Sequence, residues 1–383
     1  MSKLPGLSRV TLDHEGQSLW PKILSAEQAA LQVAPAKPGA KYKDPLIGIR
    51  VLGFLLLDLY EHRQHSFGAI PYKELLKEIA SCLSIAGRAV GSKAEADAQH
   101  GKLQDLGLHY RNHLIRVFRS NGGPVPKRSD HPSRPSLDTV RDRIINETRP
   151  ATTTSSARKN ALVRDEYRCK LTGVYDSDAS KQHPEIDARA KATGVSLAVT
   201  QCAHIFSETA EDGENKTEYA ASAMAILRMF GLNDKLESLV GSNVHDYFNI
   251  LTMRMDLHHL FDELEFWLEE VIGQENTYDI VSVENRVFRQ ISPPPARVTF
   301  RVDPDVVAAC TAKGTKPPKL PSPALLAVRA ACSRVAHMSG AAEQYDQILR
   351  DLEDTPVMAE DGGSADLLQS RLLQSSRTVH IKA

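Results

Sequence analysis

The stretch NILTMRMDLHHLFD, from Asn249 to Asp262, decides the fold prediction. Its first part fits a short strand or turn, which leads into a helix that begins at Asp256. The carboxylate of Asp256 can accept hydrogen bonds from the exposed N–H groups of the first helical turn. In such a helix His258 and Asp262 are four residues apart and share one face. An imidazole and a carboxylate at this spacing can bind one divalent cation, although they also form a pair that only stabilises a helix.

Two motifs precede this stretch. The segment VTQCAHIF, residues 199–206, has a β-type pattern that ends on His204. An imidazole at a strand end can be a hydrogen-bonded residue of the core. It can also be a general base, because its ordinary pKa lies near neutral pH. The segment RCKLTG, Arg168–Gly173, predicts a tight turn after a buried Cys169.

Taken in order, these motifs resemble the HNH endonuclease family, in a branch common among fungal proteins. The matching residues are Cys169 to Gly173, Ala203-His204-Ile205, and Asn249 through His258 to Asp262. The resemblance covers roughly residues 156–302. It implies an α+β fold class, in which two antiparallel strands and a helix form a ββα-metal module. A helical insert, from Glu218 to Val240, is expected to interrupt this module.

The family resemblance also implies a reaction and a role for each site residue. The reaction is hydrolysis of DNA phosphodiester bonds with one divalent ion, Mg²⁺ or Mn²⁺ first and Zn²⁺ as the alternative. His204 would be the general base, and Asn249 would orient the base or steady the metal site. His258 would bind the ion, and Asp262 falls where some relatives carry a second helical ligand.

One departure from the family pattern keeps a second hypothesis open. Many relatives carry a metal ligand immediately before the base, where this chain has Ala203. The alternative is therefore a catalytically degenerate module that binds nucleic acid or a protein without cutting. A Cys202 thiolate would favour zinc, whereas a buried thiol would be structural. His245 could be an extra ligand, a phosphate contact or a solvent-facing residue.

The flanking regions are predicted to be mainly helical. Residues 1–119 form an N-terminal helical region, in which residues 1–44 look irregular and three helical patterns follow, at 47–60, 72–86 and 93–118. Residues 120–155 read as a basic linker rich in Pro and Ser, and residues 156–302 as the nuclease domain. Residues 303–383 form a C-terminal helical region, with patterns at 324–337 and 341–352 and an acidic tail.

The net charge of −1 indicates neither a nucleic-acid nor a membrane partner, but the local charge is uneven. Between residues 111 and 170, 14 Lys/Arg against 6 Asp/Glu give a net charge of +8. We therefore expect DNA as the partner, with phosphate contacts from Arg158, Lys159, Arg164 and Arg168. The five cysteines form no CxxC pair, which indicates an intracellular protein. The pattern predicts no membrane segment, and it leaves oligomeric state, protein partners and the choice between nucleus and cytoplasm open.

Overall fold

The structure, a computed structural model of the 383-residue chain, describes residues 2–32, 45–84, 91–119, 141–142, 153–206, 224–232, 244–284, 287–289, 291 and 294–354. The chain divides into two units. The helical unit comprises residues 1–117, 209–232 and 331–383, and the mixed unit comprises residues 118–208 and 233–330. Most of the predicted linker lies outside the described residues. So does most of the predicted insert, of which residues 224–229 are helical.

The described elements are numbered here in chain order. The helices are α1 (His14–Gln32), α2 (Pro45–Glu61), α3 (Ile70–Leu83), α4 (Lys93–Tyr110), α5 (Thr154–Arg164), α6 (Ser177–Gln182), α7 (Pro184–Thr193), α8 (Met255–Asp262), α9 (Pro304–Lys313), α10 (Pro323–Ser339) and α11 (Ala341–Asp354). The strands are β1 (Tyr175–Asp176), β2 (Leu197–Ala198), β3 (Thr200–His204), β4 (Ile250–Arg254), β5 (Phe266–Glu270), β6 (Thr277–Ser282) and β7 (Arg297–Thr299). A π-helical turn, Arg111–Ile115, continues α4.

The helical unit is built around α2, which is buried along most of its length. Helices α1 and α4 pack on it. The α2–α4 contact is close because Gly48 and Gly107 face each other there. A Cβ atom at Gly107 would lie only 1.8 Å from the carbonyl oxygen of Gly48. Inside this core, Oε1 of the buried Glu27 accepts hydrogen bonds from Nε of Arg50 at 2.7 Å and from the N–H of Leu4 at 3.2 Å.

Helix α1 corrects the prediction that residues 1–44 are irregular. It begins after Asp13, whose carboxylate accepts a hydrogen bond from the N–H of Gly16 at 2.9 Å. Pro21 lies inside the helix, where it cannot donate a backbone hydrogen bond, at a cost of about 3 kcal/mol. Full burial of Trp20 and Ile23, at roughly 2 kcal/mol each, offsets that cost.

In the mixed unit, β3 and β4 pair antiparallel and α8 follows β4 directly, which gives the ββα order. The register places Thr200 opposite Arg254 and His204 opposite Ile250. Helix α8 begins at Met255, one residue before the predicted start, and the N–H of Met255, which has no partner within the helix, donates to the carbonyl of Val199 at 3.1 Å.

Further elements surround this hairpin. Ala157 and Ala161 of α5 form a core cluster with Cys202 and Ile250 of the hairpin. After α8 the chain forms a three-stranded antiparallel sheet in the order β5-β6-β7. The combination of helices and small sheets belongs to the α+β class, as predicted. Among the helices of the described residues, none combines the length and hydropathy that a bilayer-spanning segment needs.

Candidate active site

Asn249 joins the start of β4 to the end of β3. Its side chain is fully buried. Its Oδ1 accepts a hydrogen bond from the N–H of Phe206 at 2.9 Å, and its Nδ2 donates to the carbonyl oxygens of Phe206 at 3.0 Å and Val244 at 2.9 Å. The side-chain amide thus links the segment after His204 to the segment before β4, as a further pair of strand hydrogen bonds would. This geometry is compatible with the expected role of Asn249 in orienting the segment that carries His204.

His204 is the last residue of β3 and is partly buried. Its Nε2 lies 3.0 Å from Nδ1 of His245, which is itself buried. Burial, together with smaller contributions from positive charge on His245 and on His258, lowers the pKa of His204 to about 3. Burial also lowers the pKa of His245. Both rings are therefore neutral near pH 7, which is the state that a general base requires.

His258 on α8 has a defined tautomer. Its Nδ1 lies 2.7 Å from Oε1 of Gln201, and because a carbonyl oxygen can only accept, Nδ1 carries the proton. Burial is the main influence on the pKa of His258 and lowers it, whereas Asp262 acts in the opposite direction. In the neutral ring, Nε2 carries a lone pair that faces Oδ2 of Asp262 at 3.4 Å. Two electron-rich atoms in this arrangement are stabilised by a cation between them.

The donor set of His258 and Asp262 therefore fits a divalent ion. Two ligands that are each about 2.1 Å from one ion lie roughly 3.0–3.5 Å apart, which includes the observed 3.4 Å. Among the described residues, no three His, Cys, Asp or Glu side chains converge on one point. The protein would supply two ligands and leave the other positions to water and substrate oxygens, which suits Mg²⁺ or Mn²⁺ better than a closed four-ligand zinc site.

The two residues that precede His204 contribute no ligand. Ala203 is fully buried and has no donor atom. Cys202 is in contact with α5, and burial raises the pKa of its thiol to about 12. Its packing against Ala157, Ala161 and Ile250 agrees with the expected buried, structural thiol.

Arg329 of α10 is a site residue that the sequence analysis did not identify. Its guanidinium is buried, stacks on the Phe261 ring at 3.6 Å from the ring centroid, and donates to the carbonyl oxygens of Ile205, at 2.8 Å, and Phe261. It thus joins the residue after His204 to the residue before Asp262. The available signal was a single arginine within the apolar run PALLAVRAAC.

Gln201 and His245 were also missed as functional partners. Gln201 carried no signal of its own in the sequence, because its partner is 57 residues away. His245 was noted only as an extra ligand, phosphate contact or surface residue, and the structure instead places it against His204. His259, which follows His258 in the sequence, is mostly exposed and pairs with Glu263. It takes no part in the contacts of His204, His245 and His258.

Three of the four predicted phosphate contacts, Arg158, Arg164 and Arg168, have carboxylate partners within the chain. Arg158 pairs with the buried Asp176 at 2.7 Å, and Arg168 pairs with Glu166. Lys159 is partly buried. Arg164 differs most from the prediction, because its guanidinium is fully buried and a phosphate would have no access to it.

The partners of Arg164 explain its burial. It donates to both carboxylate oxygens of Asp165, at 2.7 and 2.8 Å, and to the carbonyl oxygens of Tyr247, at 2.7 Å, and Ile250, at 2.9 Å. The guanidinium therefore fastens α5 to the segment that enters β4. Counting charges along the sequence cannot distinguish such an internal pair from a surface charge.

Comparison with known proteins agrees with the ββα arrangement. Residues 169–269 match a family model described as HNH endonuclease. The matched range includes the turn at Cys169, both strands of the hairpin, α8 and most of β5. No curated protein and no solved structure matches the chain.

Proposed function

We propose that this chain is a metal-dependent endonuclease that hydrolyses DNA phosphodiester bonds, because residues 169–269 match the HNH endonuclease family model. The observation that carries the proposal is the His258–Asp262 pair, whose 3.4 Å separation suits two ligands of one ion. Gln201, on the strand that ends at His204, hydrogen-bonds to Nδ1 of His258 at 2.7 Å and so ties α8 to that strand. A neutral imidazole beside a divalent cation is a suitable combination for activating water at a phosphodiester.

Each side chain then has a defined task. His204 accepts a proton from the attacking water, and the resulting hydroxide forms a bond to phosphorus as the bond to the leaving oxygen breaks. His258 and Asp262 would hold the ion, and Gln201 keeps the lone pair of His258 on Nε2. When bound, the ion neutralises negative charge that develops on the phosphate and leaving oxygens. Asn249 fixes the backbone that carries His204.

DNA as the substrate rests on the family and on local charge. The basic residues of the segment 120–155, with Lys159, Arg158 and Arg168, would form the approach to the site. Arg158 and Arg168 would exchange part of their carboxylate contacts for phosphate contacts. Phosphate contacts of this kind make binding strongly dependent on salt.

A plasmid-nicking assay with Mg²⁺ and with Mn²⁺ tests the proposal. We expect the wild-type protein to convert supercoiled plasmid to nicked or linear DNA, and chelation of the metal to stop this conversion. His204→Ala should reduce the rate by at least about 100-fold while DNA binding persists. His259→Ala is the matched control, because it removes an adjacent but exposed imidazole. Intact plasmid and intact single-stranded DNA in every divalent metal would contradict the proposal.

One observation favours a second candidate, a module that binds nucleic acid without cutting it. The buried Ala203 lacks the ligand that many relatives carry there, and the described residues supply only two groups to an ion. This candidate predicts salt-dependent DNA binding with no cleavage by the wild-type protein. It also predicts that His204→Ala leaves every measured DNA property unchanged.

A further inference from the structure

We propose that His245 is a positioning residue that holds His204 in the tautomer whose Nδ1 can accept a proton from water. The inference rests on the proposed function, because it assigns His245 a part in activating the general base. It is carried by the hydrogen-bond geometry of the two rings and by the way in which the backbone around each of them is fixed.

The two imidazoles form a direct contact. Nε2 of His204 and Nδ1 of His245 are 3.0 Å apart, and the ring centroids are 5.2 Å apart. Two neutral rings at this distance form one hydrogen bond, in which one of the two nitrogens carries the proton and donates it and the other accepts. The contact therefore couples the tautomer of His204 to that of His245.

Only one of the two arrangements leaves a working base. If Nε2 of His204 donates to His245, the lone pair of His204 is on Nδ1 and remains available to a water. If Nδ1 of His245 donates instead, the lone pair of His204 is on Nε2 and is used in this hydrogen bond. Nδ1 of His204 is then already protonated and cannot accept a proton from water. A general base at residue 204 thus requires His245 to be the acceptor.

The surroundings hold His245 in place for this task. The amide of Asn249 bonds to the carbonyl of Val244, the residue before His245, and to both backbone groups of Phe206, two residues after His204. One buried side chain therefore fixes the distance between the two segments. Such support is what keeps a catalytic side chain within a few tenths of an ångström of its working position.

The same contact strengthens the base during the reaction. When His204 takes the proton of water on Nδ1, the O–H bond of water breaks, the new N–H bond forms, and hydroxide goes to phosphorus. The Nε2–H bond to His245 then becomes charge-assisted, which stabilises the imidazolium in its buried position. Burial keeps both rings neutral beforehand, since it lowers the pKa of each.

The first test reads the tautomer directly by NMR. The full-length protein is labelled with ¹⁵N in its 14 histidines, and long-range ¹H–¹⁵N correlations are recorded at pH 7.5. The signal of His204 is assigned from its loss in His204→Gln. We expect His204 to be in the Nε2–H form, and to become a mixture of tautomers in His245→Ala. His183→Ala, which removes another buried histidine of the mixed unit, should leave the tautomer of His204 unchanged.

The second test uses cleavage kinetics with a conservative replacement. His245→Ala should lower kcat by at least about 10-fold with little change in KM, because binding of DNA is not affected. In His245→Asn, the amide oxygen takes the place of Nδ1 as the acceptor, so the rate should return to within about threefold of the wild type. The double variant His204→Ala/His245→Ala should be no slower than His204→Ala.

The results separate this inference from the proposed function. A His204 that is in the Nδ1–H form, or a tautomer that His245→Ala leaves unchanged, would overturn the inference even if the protein cuts DNA. A protein that cuts no DNA would overturn the proposed function, and with it the catalytic meaning of the pair, whatever the NMR spectra show. If His245→Ala fails to fold, the His245→Asn variant decides between the two outcomes. Loss of the Nε2–H form of His204 in this variant would overturn the inference, whereas its retention together with a near-wild-type rate would support it.

Discussion

Replacement of Arg164 by methionine tests whether this arginine joins two buried segments of the chain or contacts phosphate. Methionine keeps most of the aliphatic stem but removes five hydrogen bonds, two to Asp165 and one each to the carbonyls of Tyr247, Ile250 and Lys319. It also leaves the carboxylate of Asp165 buried without its cation, with the N–H of Thr252 as a remaining donor at 3.1 Å.

The expected loss of stability follows from that uncompensated charge. Removal of one partner of a buried ion pair costs about 3–5 kcal/mol of unfolding free energy. Arg164→Lys keeps the charge but cannot bridge both sides, so its loss should be smaller, about 1–3 kcal/mol. Arg168→Met is the control, because the Arg168–Glu166 pair is partly exposed and should contribute no more than about 1 kcal/mol.

Urea unfolding measures these differences, and hydrogen exchange followed by mass spectrometry locates them. Peptides that cover residues 247–254 should exchange much faster in Arg164→Met, since the guanidinium holds this segment. The reasoning would be refuted if Arg164→Met unfolded at the same urea concentration as Arg168→Met and instead lost affinity for DNA.

Three further predictions concern the hairpin and α8. Asn249→Ala should lower the free energy of unfolding by about 2–4 kcal/mol, because three buried hydrogen bonds are lost; a loss below about 0.5 kcal/mol in urea would contradict its positioning role. The pKa of His204 is about 3 in the folded protein, against about 6.5 when unfolded. Between these values the unfolded state binds more protons, so stability is complete above about pH 6.5 and falls as pH is lowered, by up to about 1.4 kcal/mol per pH unit. Urea titrations at several pH values should show a shallower fall in His204→Gln, and equal slopes would contradict the assignment. Gln201→Leu should weaken Mn²⁺ binding by about 10-fold, because His258 loses the acceptor that orients it; calorimetry measures this, and unchanged affinity would show that Gln201 does not orient the ligand.

The hairpin and α8 could be predicted from the sequence because their signals are local. Apolar residues at strand spacing lead up to His204, and His258 and Asp262 are four residues apart on one helix, as expected. The turn at Cys169 has the predicted form, with the N–H of Gly173 bonded to the Cys169 carbonyl at 2.8 Å and Gly173 at a φ of 75°.

The sequence did not predict features that depend on distant partners. The contact of His204 with His245 spans 41 positions, and neither residue indicates the other. Arg164 looked like a surface charge because its carbonyl partners are more than 80 positions away. Helix α1 was missed because Pro21 breaks the local pattern, whereas burial of Trp20 outweighs the proline. The roles of the predicted site residues stay predictions until the assays above are done.

The contacts of Arg329 determine how much of the chain the ββα module needs outside its matched residues. The family match ends at residue 269, yet two backbone carbonyls beside the proposed site, those of Ile205 and Phe261, depend on a guanidinium 60 residues further along the chain. An excised fragment limited to the matched residues would expose both carbonyls and one aromatic ring face to solvent. A fragment designed for domain grafting or for minimal expression of this module should therefore retain the chain through at least residue 330.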